Sequence, residues 1–256
     1  MNTRRICSLL SLAGLLAGSS MATATPADTI GIAPLPPVYK FYVGTSMEGP
    51  MLSGASIDHP GSPSSGTLRF SYFFNLGTTF NFNLSRHFGV FTGFDLKNIG
   101  FIENIDDRTI KRRTYNLGVP VGIKIGDMAI KHPYLFLGGG LDLPINYKEK
   151  SFPSSGRFHK TKFNEWFSNR TPHLMPYVFA GVALKHGLTL KVQYYPNNFL
   201  NPDFTDNNVP RKKPYANYNV HLFALTVGMN VPTGKRHKRD IIKVKISDLH
   251  TSYTAR

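Results

Sequence analysis

The segment 113–147 alternates between apolar residues and small or polar residues over nearly its whole length. From 115 to 125 every odd position is apolar, whereas the even positions carry Asn, Gly, Pro or Lys. After a short turn the odd positions from 135 to 147 are again apolar, apart from Gly139. A period of two predicts two long strands joined by a hairpin, because successive side chains of a strand point to opposite faces. A long apolar face opposite a small, polar face is typical of a barrel strand with lipid on one side and a narrow lumen on the other.

The composition favours an all-β chain. The 256 residues include 23 Gly, 19 Phe and 12 Tyr, and after the N-terminus there is no apolar run long enough for a membrane-spanning helix. The mean hydropathy of −0.19 is compatible with a barrel, because half of each barrel strand is polar. The single cysteine, Cys7, lies in a predicted targeting segment. The mature chain is therefore predicted to contain no disulfide, thiol nucleophile or cysteine metal site.

The formal net charge of +15 predicts anionic surroundings. Candidate partners are outer-membrane lipid, the phosphates of lipopolysaccharide and acidic protein. Nucleic acid is not expected, because the N-terminal segment predicts export.

The chain divides into four predicted parts. Residues 1–24 are predicted to be a signal peptide, with Arg4 and Arg5 before an apolar core and Ala22-Thr23-Ala24 at the cleavage site. Residues 25–37 form an extended lead-in, 38–231 the barrel, and 232–256 a basic tail. The tail is interpreted as solvated, and the alternation at 241–246 leaves open that it adds a strand to a partner.

Alternation predicts eight strands, at 38–47, 68–84, 88–101, 113–126, 134–147, 174–184, 188–195 and 215–231. The connections at 48–66, 103–112, 148–173 and 196–214 are long, and those at 85–87, 127–132 and 186–187 are short. This sidedness predicts an eight-stranded antiparallel up-and-down transmembrane β-barrel, integral to a bacterial outer membrane, with both termini and the tail in the periplasm. The alternative is a soluble, lipocalin-like barrel, which would turn its apolar face inward.

Two details of the faces are predicted less simply. In the last strand, Asn217, Asn219 and His221 are predicted to face the lumen. The apolar residues that follow, at 223–229, are also odd-numbered and would then face the lumen as well. A β-bulge near His221, which would exchange the two faces, is one interpretation. Aromatic residues of a lipid-facing girdle are expected near both ends of the strands. The candidates are Tyr39, Tyr72, Tyr115, Tyr147 and Tyr194.

Three segments carry a resemblance to a known family. They are FGVFTGFDLKNIGF at 88–101, RTYNLGVPVGIKIG at 113–126 and YLFLGGGLDL at 134–143. They resemble strands of the outer-membrane β-barrel domain of Bacteroidetes, the PorT-type family, and the resemblance covers about 38–231. It implies an outer-membrane barrel, and in some members a part in type IX protein secretion. The basic tail departs from the family, whose barrels commonly end at the last strand with an aromatic residue.

Charged residues on the predicted inner face form a candidate lumen network. Its members are Asp95, Lys97, Lys124, Asp142, Lys185 and Lys191, and Lys40 and Arg69 are also predicted to face the lumen. Because unpaired buried charge is costly, the aspartates should pair with lysines, and a bridge Asp95–Lys124–Asp142 is the specific prediction. Eight strands leave room only for side chains, which favours a salt-bridge core. The alternative is a narrow, anion-favouring pore.

The longest predicted loop interleaves aromatic and basic residues. Its candidate binding residues are Arg157, Lys160, Lys162, Trp166, Phe167 and Arg170. This mixture suits lipid A phosphates or an acidic partner. Alternatively, the aromatic residues cap the barrel mouth or join the interfacial girdle.

Neither catalysis nor a metal or cofactor is predicted. The sequence contains no G-x-S-x-G elbow and no H-E-x-x-H pair. We therefore expect a non-enzymatic structural or interaction protein. The family resemblance implies a role as an accessory of type IX secretion, and a periplasmic or secretion-machinery protein is the candidate partner of the 233–256 tail. A lipid-modifying enzyme is the remaining alternative.

Overall fold

The computed structural model describes residues 36–58, 64–65, 67–72, 75–105, 108–153, 160–206 and 212–233. The predicted signal peptide, the lead-in before residue 36, the tail after residue 233 and Arg157 lie outside these residues. No helix in the described part of the chain is long and apolar enough to cross a membrane.

The described residues form strands joined mostly by tight connections. The strands are β1 (Phe41–Asp58), β2 (Ser64–Ser65), β3 (Arg69–Ser71), β4 (Asn75–Asn83), β5 (Phe88–Ile105), β6 (Arg108–Gly126), β7 (Tyr134–Pro153), β8 (Thr161–Trp166), β9 (Met175–Ala183), β10 (Leu188–Tyr195) and β11 (Asn219–Pro232). A short 3₁₀ turn, Lys185–Gly187, joins β9 to β10.

Eight of the strands close into a barrel. The wall runs β1-β4-β5-β6-β7-β9-β10-β11, and β11 pairs with β1. All neighbouring wall strands are antiparallel. The short strands β2 and β3 pair with β1, and β8 pairs with β7. The predicted eight-stranded antiparallel up-and-down barrel is therefore confirmed.

The barrel carries its apolar side chains outside and its polar side chains inside. On β6, Leu117, Val119 and Val121 are 44%, 40% and 58% exposed, whereas the preceding Asn116 is fully buried. The other wall strands show the same order, with exposed Leu, Val and Phe alternating with buried polar residues. A soluble, lipocalin-like barrel has the opposite arrangement, so that alternative is wrong. Such a continuous apolar exterior is stable only against an apolar medium.

Three of the four connections predicted to be long loops are largely strand. β1 continues to Asp58 and pairs with β11 over this extension. β5 and β6 are paired from Ile105 and Arg108 through the extension and into the wall. β7 continues to Pro153, and β8 pairs with this extension of β7. Charged and aromatic residues obscured these strands, since strand propensity depends on which side chains stand opposite. The strand extensions project from the barrel end at which the long connections lie.

The last strand has a single parity. Even residues such as Val220, Leu222 and Thr226 are buried, and the odd residues, including Asn219, face outwards. The strand begins at Asn219, and its pairing with β1 and β10 shows no irregularity at His221. The lumen-facing assignment of Asn219 and His221 and the proposed bulge near His221 are therefore both wrong.

A bulge does occur in β7. Tyr115 pairs with Asn146 and Asn116 pairs with Pro144, so Ile145 has no partner on β6. The extra residue reverses the faces of β7 beyond this point. Tyr147 is consequently only 1% exposed, and its prediction as a girdle residue is wrong.

The last long connection, between β10 and β11, folds into the mouth of the barrel. Phe199 and Leu200 are fully buried in an apolar cluster with Phe101 and Tyr215. The Asn198 side chain accepts hydrogen bonds from the backbone N–H groups of Leu200 (3.1 Å) and Val220 (3.0 Å) and anchors this segment. The described parts of the predicted polar loop, 196–206 and 212–214, thus contribute apolar side chains to this buried cluster.

Candidate functional site

A buried ion triplet lies at the centre of the barrel. The Lys97 ammonium is 2.8 Å from Asp142 Oδ1 and 3.4 Å from Asp95 Oδ1. Asp95 on β5 and Asp142 on β7 both stand opposite Gly118 on the intervening β6. A Cβ at Gly118 would collide with both carboxylates, so a glycine is required where they converge. The register therefore places the two acids at one level, and Lys97 neutralises them.

The predicted bridge through Lys124 is wrong because of this register. Lys124 stands opposite Gly89 and Phe136, six residues along β6 from the level of Gly118. At about 3.4 Å per residue the separation is about 20 Å. The Lys124 ammonium instead donates to the side-chain oxygens of Asn83 (2.8 Å), Asn81 (3.1 Å) and Tyr42 (3.4 Å). Lys124 is thus buried among neutral acceptors.

Hydrogen bonds extend the triplet across the lumen. The Tyr195 hydroxyl donates to Asp142 Oδ2 (2.6 Å), and Asn116 Nδ2 donates to the same oxygen (3.2 Å). Gln193 Nε2 donates to the Tyr195 hydroxyl (2.6 Å). The Lys97 ammonium also lies 3.6 Å from the centre of the Tyr177 ring. Side chains from β5, β6, β7, β9 and β10 therefore meet in one network.

Lys191 belongs to a second interior pair. Its ammonium lies 2.5 Å from Glu48 Oε1, and both side chains are largely buried. The prediction omitted Glu48 because it fell at the start of the segment interpreted as the first long loop. Lys191 is predicted to face the lumen, and its strand contains no acidic residue that could neutralise it. This was the sequence signal that an acidic partner lies elsewhere in the chain.

Some predicted lumen residues lie elsewhere. Lys185 sits exposed on the 3₁₀ turn, and Lys40 is exposed before β1, so both lumen assignments are wrong. Arg69 is buried and donates to Asn98 Oδ1.

A further charge cluster, which the sequence reasoning missed, lies between the triplet and the long-connection end. Arg112 pairs with Glu103 and with Glu149 Oε2, the latter at 3.2 Å. The Tyr147 hydroxyl donates to the same Glu149 oxygen (2.7 Å). The guanidinium also lies 5.9 Å from the centre of the Tyr215 ring. The sequence predicts a loop at 103–112. It therefore did not predict that Arg112 and Glu103 lie in strands and face the interior together.

The interior leaves little free space. A cavity of about 60 Å³ lies between the triplet and the short-turn end, lined by Lys124, Lys191, Glu48 and Asp95 among others. This volume holds a few water molecules. The hydrogen-bonded network and the apolar cluster around Phe199 fill the barrel beyond it. Side chains of the network and of the apolar cluster thus occupy much of the described lumen.

The predicted loop-binding residues have different surroundings. Arg170 is structural: it donates to the Tyr215 hydroxyl (3.1 Å) and lies 4.4 Å from the ring centres of Phe163 and Phe204. Burial opposes its charge, but the hydrogen bond to Tyr215 and the nearby Glu165 raise the pKa of Arg170 above its usual value. Lys160, Lys162, Trp166 and Phe167 are exposed.

The described residues provide no group of three or more His, Cys, Asp or Glu side chains that could hold a metal. His132 Nδ1 lies 2.8 Å from Asp127 at the short-turn end. Asp127 also accepts from Arg86 (3.2 Å) and from the backbone N–H of Ala129 (3.1 Å). This arrangement caps a turn.

Fold and interior together define a class: an antiparallel eight-stranded β-barrel with an apolar exterior and a charged interior. Neither a protein-family model nor a curated protein matches the chain. The resemblance to the PorT-type family therefore stays a prediction.

The chain is similar to several solved barrels. Ail, the attachment invasion locus protein of Yersinia pestis, is 12% identical over 74% of this chain and 98% of its own, with a TM-score of 0.33. Neisserial surface protein A is 12% identical over 76% and 97%, with a TM-score of 0.37. The N-terminal β-barrel domain of Pseudomonas aeruginosa OprF is 7% identical over 73% and 96%, with a TM-score of 0.25. At this level the similarity establishes neither family nor function.

Proposed function

We propose that the chain is a closed, non-enzymatic barrel of the bacterial outer membrane that acts as a structural and interaction protein. The apolar exterior supports the membrane location, since exposed Leu, Val and Phe side chains surround the wall. The proposed orientation places the long-connection end outside the cell and both termini in the periplasm, as in barrels whose short turns face the periplasm.

The observation that carries this proposal is the network across the lumen. Lys97, Asp95, Asp142 and Tyr195 connect opposite sides of the barrel through contacts of 2.6–3.4 Å. Opening a pore would separate buried ion pairs, and a buried charge without a partner costs several kcal/mol. The interior therefore serves stability, and interaction is left to the extended strands and the tail.

Planar-bilayer recording of the purified full chain tests the closed lumen. We expect no discrete conductance from the wild type or from the exposed-lysine variant Lys185→Gln. Discrete conductance steps that shift in Lys191→Gln or Lys124→Gln but not in Lys185→Gln would establish the narrow, anion-favouring pore instead.

An accessory role in type IX secretion is part of the same proposal. It is motivated by the family resemblance and by the seven basic residues between 233 and 256. Pull-downs with the full chain and with a chain truncated after residue 233 should differ by at least one periplasmic or secretion-machinery protein. Identical co-purifying sets would remove the docking role of the tail.

The enzyme alternative has its own test. Mass spectrometry of lipid A from a deletion strain is expected to show an unchanged acylation pattern. A changed pattern that is restored by the wild-type gene would establish a lipid-modifying activity.

A further inference from the structure

The strand extensions beyond the barrel segregate their charges by face. Strands β5, β6, β7 and β8 form one sheet there, in which Lys111 stands opposite Lys150, and Lys150 stands opposite Lys162. One step closer to the barrel, Arg113 stands opposite Lys148. Directly paired residues of neighbouring strands point to the same side. These five side chains therefore share one surface, the basic face: Lys111, Arg113, Lys148, Lys150 and Lys162.

The carboxylates of the same strands lie on the opposite side. Glu149 pairs with Arg112, and Glu165 lies 3.6 Å from Arg170. Glu103 on β5 also pairs with Arg112. None of the ion pairs formed by the described residues includes a cation of the basic face. The basic face is thus a group of like charges whose counter-charge the described chain does not supply.

The crowding of these charges affects Lys150. The pKa of its ammonium is lowered, first by desolvation and then by the positive charges of Arg113, Lys160, Lys162 and Lys148. Lys150 lies beyond the apolar band of the wall, in the extension. A multivalent anion held at this surface would relieve the repulsion.

The basic face continues the lipid-facing surface of the wall. On β6 the odd residues Leu117, Val119 and Val121 are exposed and apolar, Tyr115 follows, and Arg113 and Lys111 come next on the same side. Two residues of strand span about 7 Å. Going outwards, the surface therefore changes from apolar to aromatic to cationic within about 14 Å of strand.

Aromatic residues mark the boundary between the apolar and cationic levels. Tyr115 pairs with Asn146, which pairs with Trp166, so the two aromatic residues lie at one level. Trp166 and Phe167 are 65% and 68% exposed. Aromatic side chains concentrate where hydrocarbon meets headgroups. The Lys148 ammonium and the Arg113 guanidinium lie 5.0 Å and 5.7 Å from the Tyr115 ring centre, so both cations lie next to this aromatic level.

We propose that the basic face binds the phosphate groups of lipid A, the lipopolysaccharide anchor in the outer leaflet. The charge complementarity is direct, because the face provides five cations and, among the described residues, no carboxylate pairs with them. Its continuity with the apolar wall favours a membrane glycolipid over a soluble polyanion, since one molecule then occupies both surfaces. The proposal rests on the proposed orientation, which turns this end of the barrel towards the outer leaflet.

The test measures binding of lipid A to the purified full chain folded in detergent. Bisphosphorylated lipid A is titrated in parallel with the same lipid lacking phosphate. The test variant is Lys111→Gln/Lys150→Gln/Lys162→Gln. The matched control, Lys40→Gln/Lys131→Gln/Lys185→Gln, removes the same charge from exposed sites away from the basic face. Heat-modifiable migration in gels verifies that each variant is folded.

We expect the test variant to bind bisphosphorylated lipid A roughly 100-fold more weakly, since each basic side chain near a charged lipid surface contributes about a fivefold change in affinity. The control should bind like the wild type, and the dephosphorylated lipid should not distinguish the three proteins. Raised salt should reduce the difference between test variant and wild type.

Three results would overturn the proposal: unchanged binding by the test variant, equal loss in the control, or equal affinity for the dephosphorylated lipid. Binding of a soluble sulfated polysaccharide at this face, without lipid A binding, would also overturn it.

The orientation is tested separately on intact cells. Asp203→Cys, in the exposed part of the connection between β10 and β11, should react with a membrane-impermeant maleimide. Absence of labelling would refute the proposed orientation without affecting the binding result in detergent.

Discussion

The lumen and the basic face hold comparable numbers of cations in opposite surroundings. Inside the barrel, Lys97 lies against two carboxylates and Lys191 against one. On the basic face, Lys111 and Lys150 stand opposite each other without an acid. Burial explains the difference, because a charge removed from water needs a partner in the protein, whereas a solvated charge does not. The interior cations Lys97 and Lys191 are neutralised by partners inside the barrel, whereas the cations of the basic face have no acidic partner among the described residues.

The sharpest test of this comparison is the removal of the central lysine. Lys97→Met leaves Asp95 and Asp142 facing each other in the lumen, and we expect a loss of about 3–5 kcal/mol in the free energy of unfolding. Urea denaturation of the detergent-folded protein measures it. The double variant Lys97→Met/Asp142→Asn should recover part of the loss. A loss below about 1 kcal/mol for Lys97→Met would mean that the triplet does not hold the barrel together.

Crowding the triplet should have a smaller effect. Gly118→Ala places a methyl group against the carboxylates of both Asp95 and Asp142, and overpacking of this kind costs about 1–3 kcal/mol. Gly139→Ala serves as the control, because a Cβ there has its nearest neighbour, Tyr177 O, at 3.0 Å. Equal denaturation midpoints for the two variants would contradict the tight convergence at Gly118.

Lys124 separates the effect of burial from that of pairing. It is as deeply buried as Lys97, at 1% exposure, but its acceptors are neutral. Lys124→Met should therefore cost only about 1–2 kcal/mol, because it removes the hydrogen bonds that Lys124 donates to Asn81, Asn83 and Tyr42 but leaves no unpaired charge. A loss as large as that of Lys97→Met in the same urea experiment would show that burial alone sets the effect.

The basic face should show the smallest effect on stability. Lys150→Gln/Lys162→Gln should change the free energy of unfolding by no more than about 0.5 kcal/mol. At low salt, where repulsion between like charges is strongest, the double substitution should stabilise the protein slightly. Thermal unfolding at two salt concentrations measures this change. A clear destabilisation would mean that these lysines stabilise the extension and are not simply repelling like charges.

The alternation of residues was sufficient to predict the wall. Side chains of a strand alternate faces because of backbone geometry alone, so the parity at 115–125 placed Leu117 outside and Lys124 inside without knowledge of any partner. The strand count and the antiparallel order followed from the same local pattern. The local pattern did not predict which way the side chains of β7 point beyond Ile145, because a single extra residue at the bulge reverses the two faces. The extended strands were missed since their charged residues resemble those of loops.

The amino-acid sequence by itself thus determined an eight-stranded barrel with an apolar exterior, because strand periodicity is a local property of the chain. The tertiary structure decided which residues meet. Lys97, not Lys124, neutralises Asp95 and Asp142 because pairing between strands sets both acids opposite Gly118. The same pairing aligned Lys111, Lys150 and Lys162 on one face. Register is a relation between distant segments, and only the closed sheet determines it.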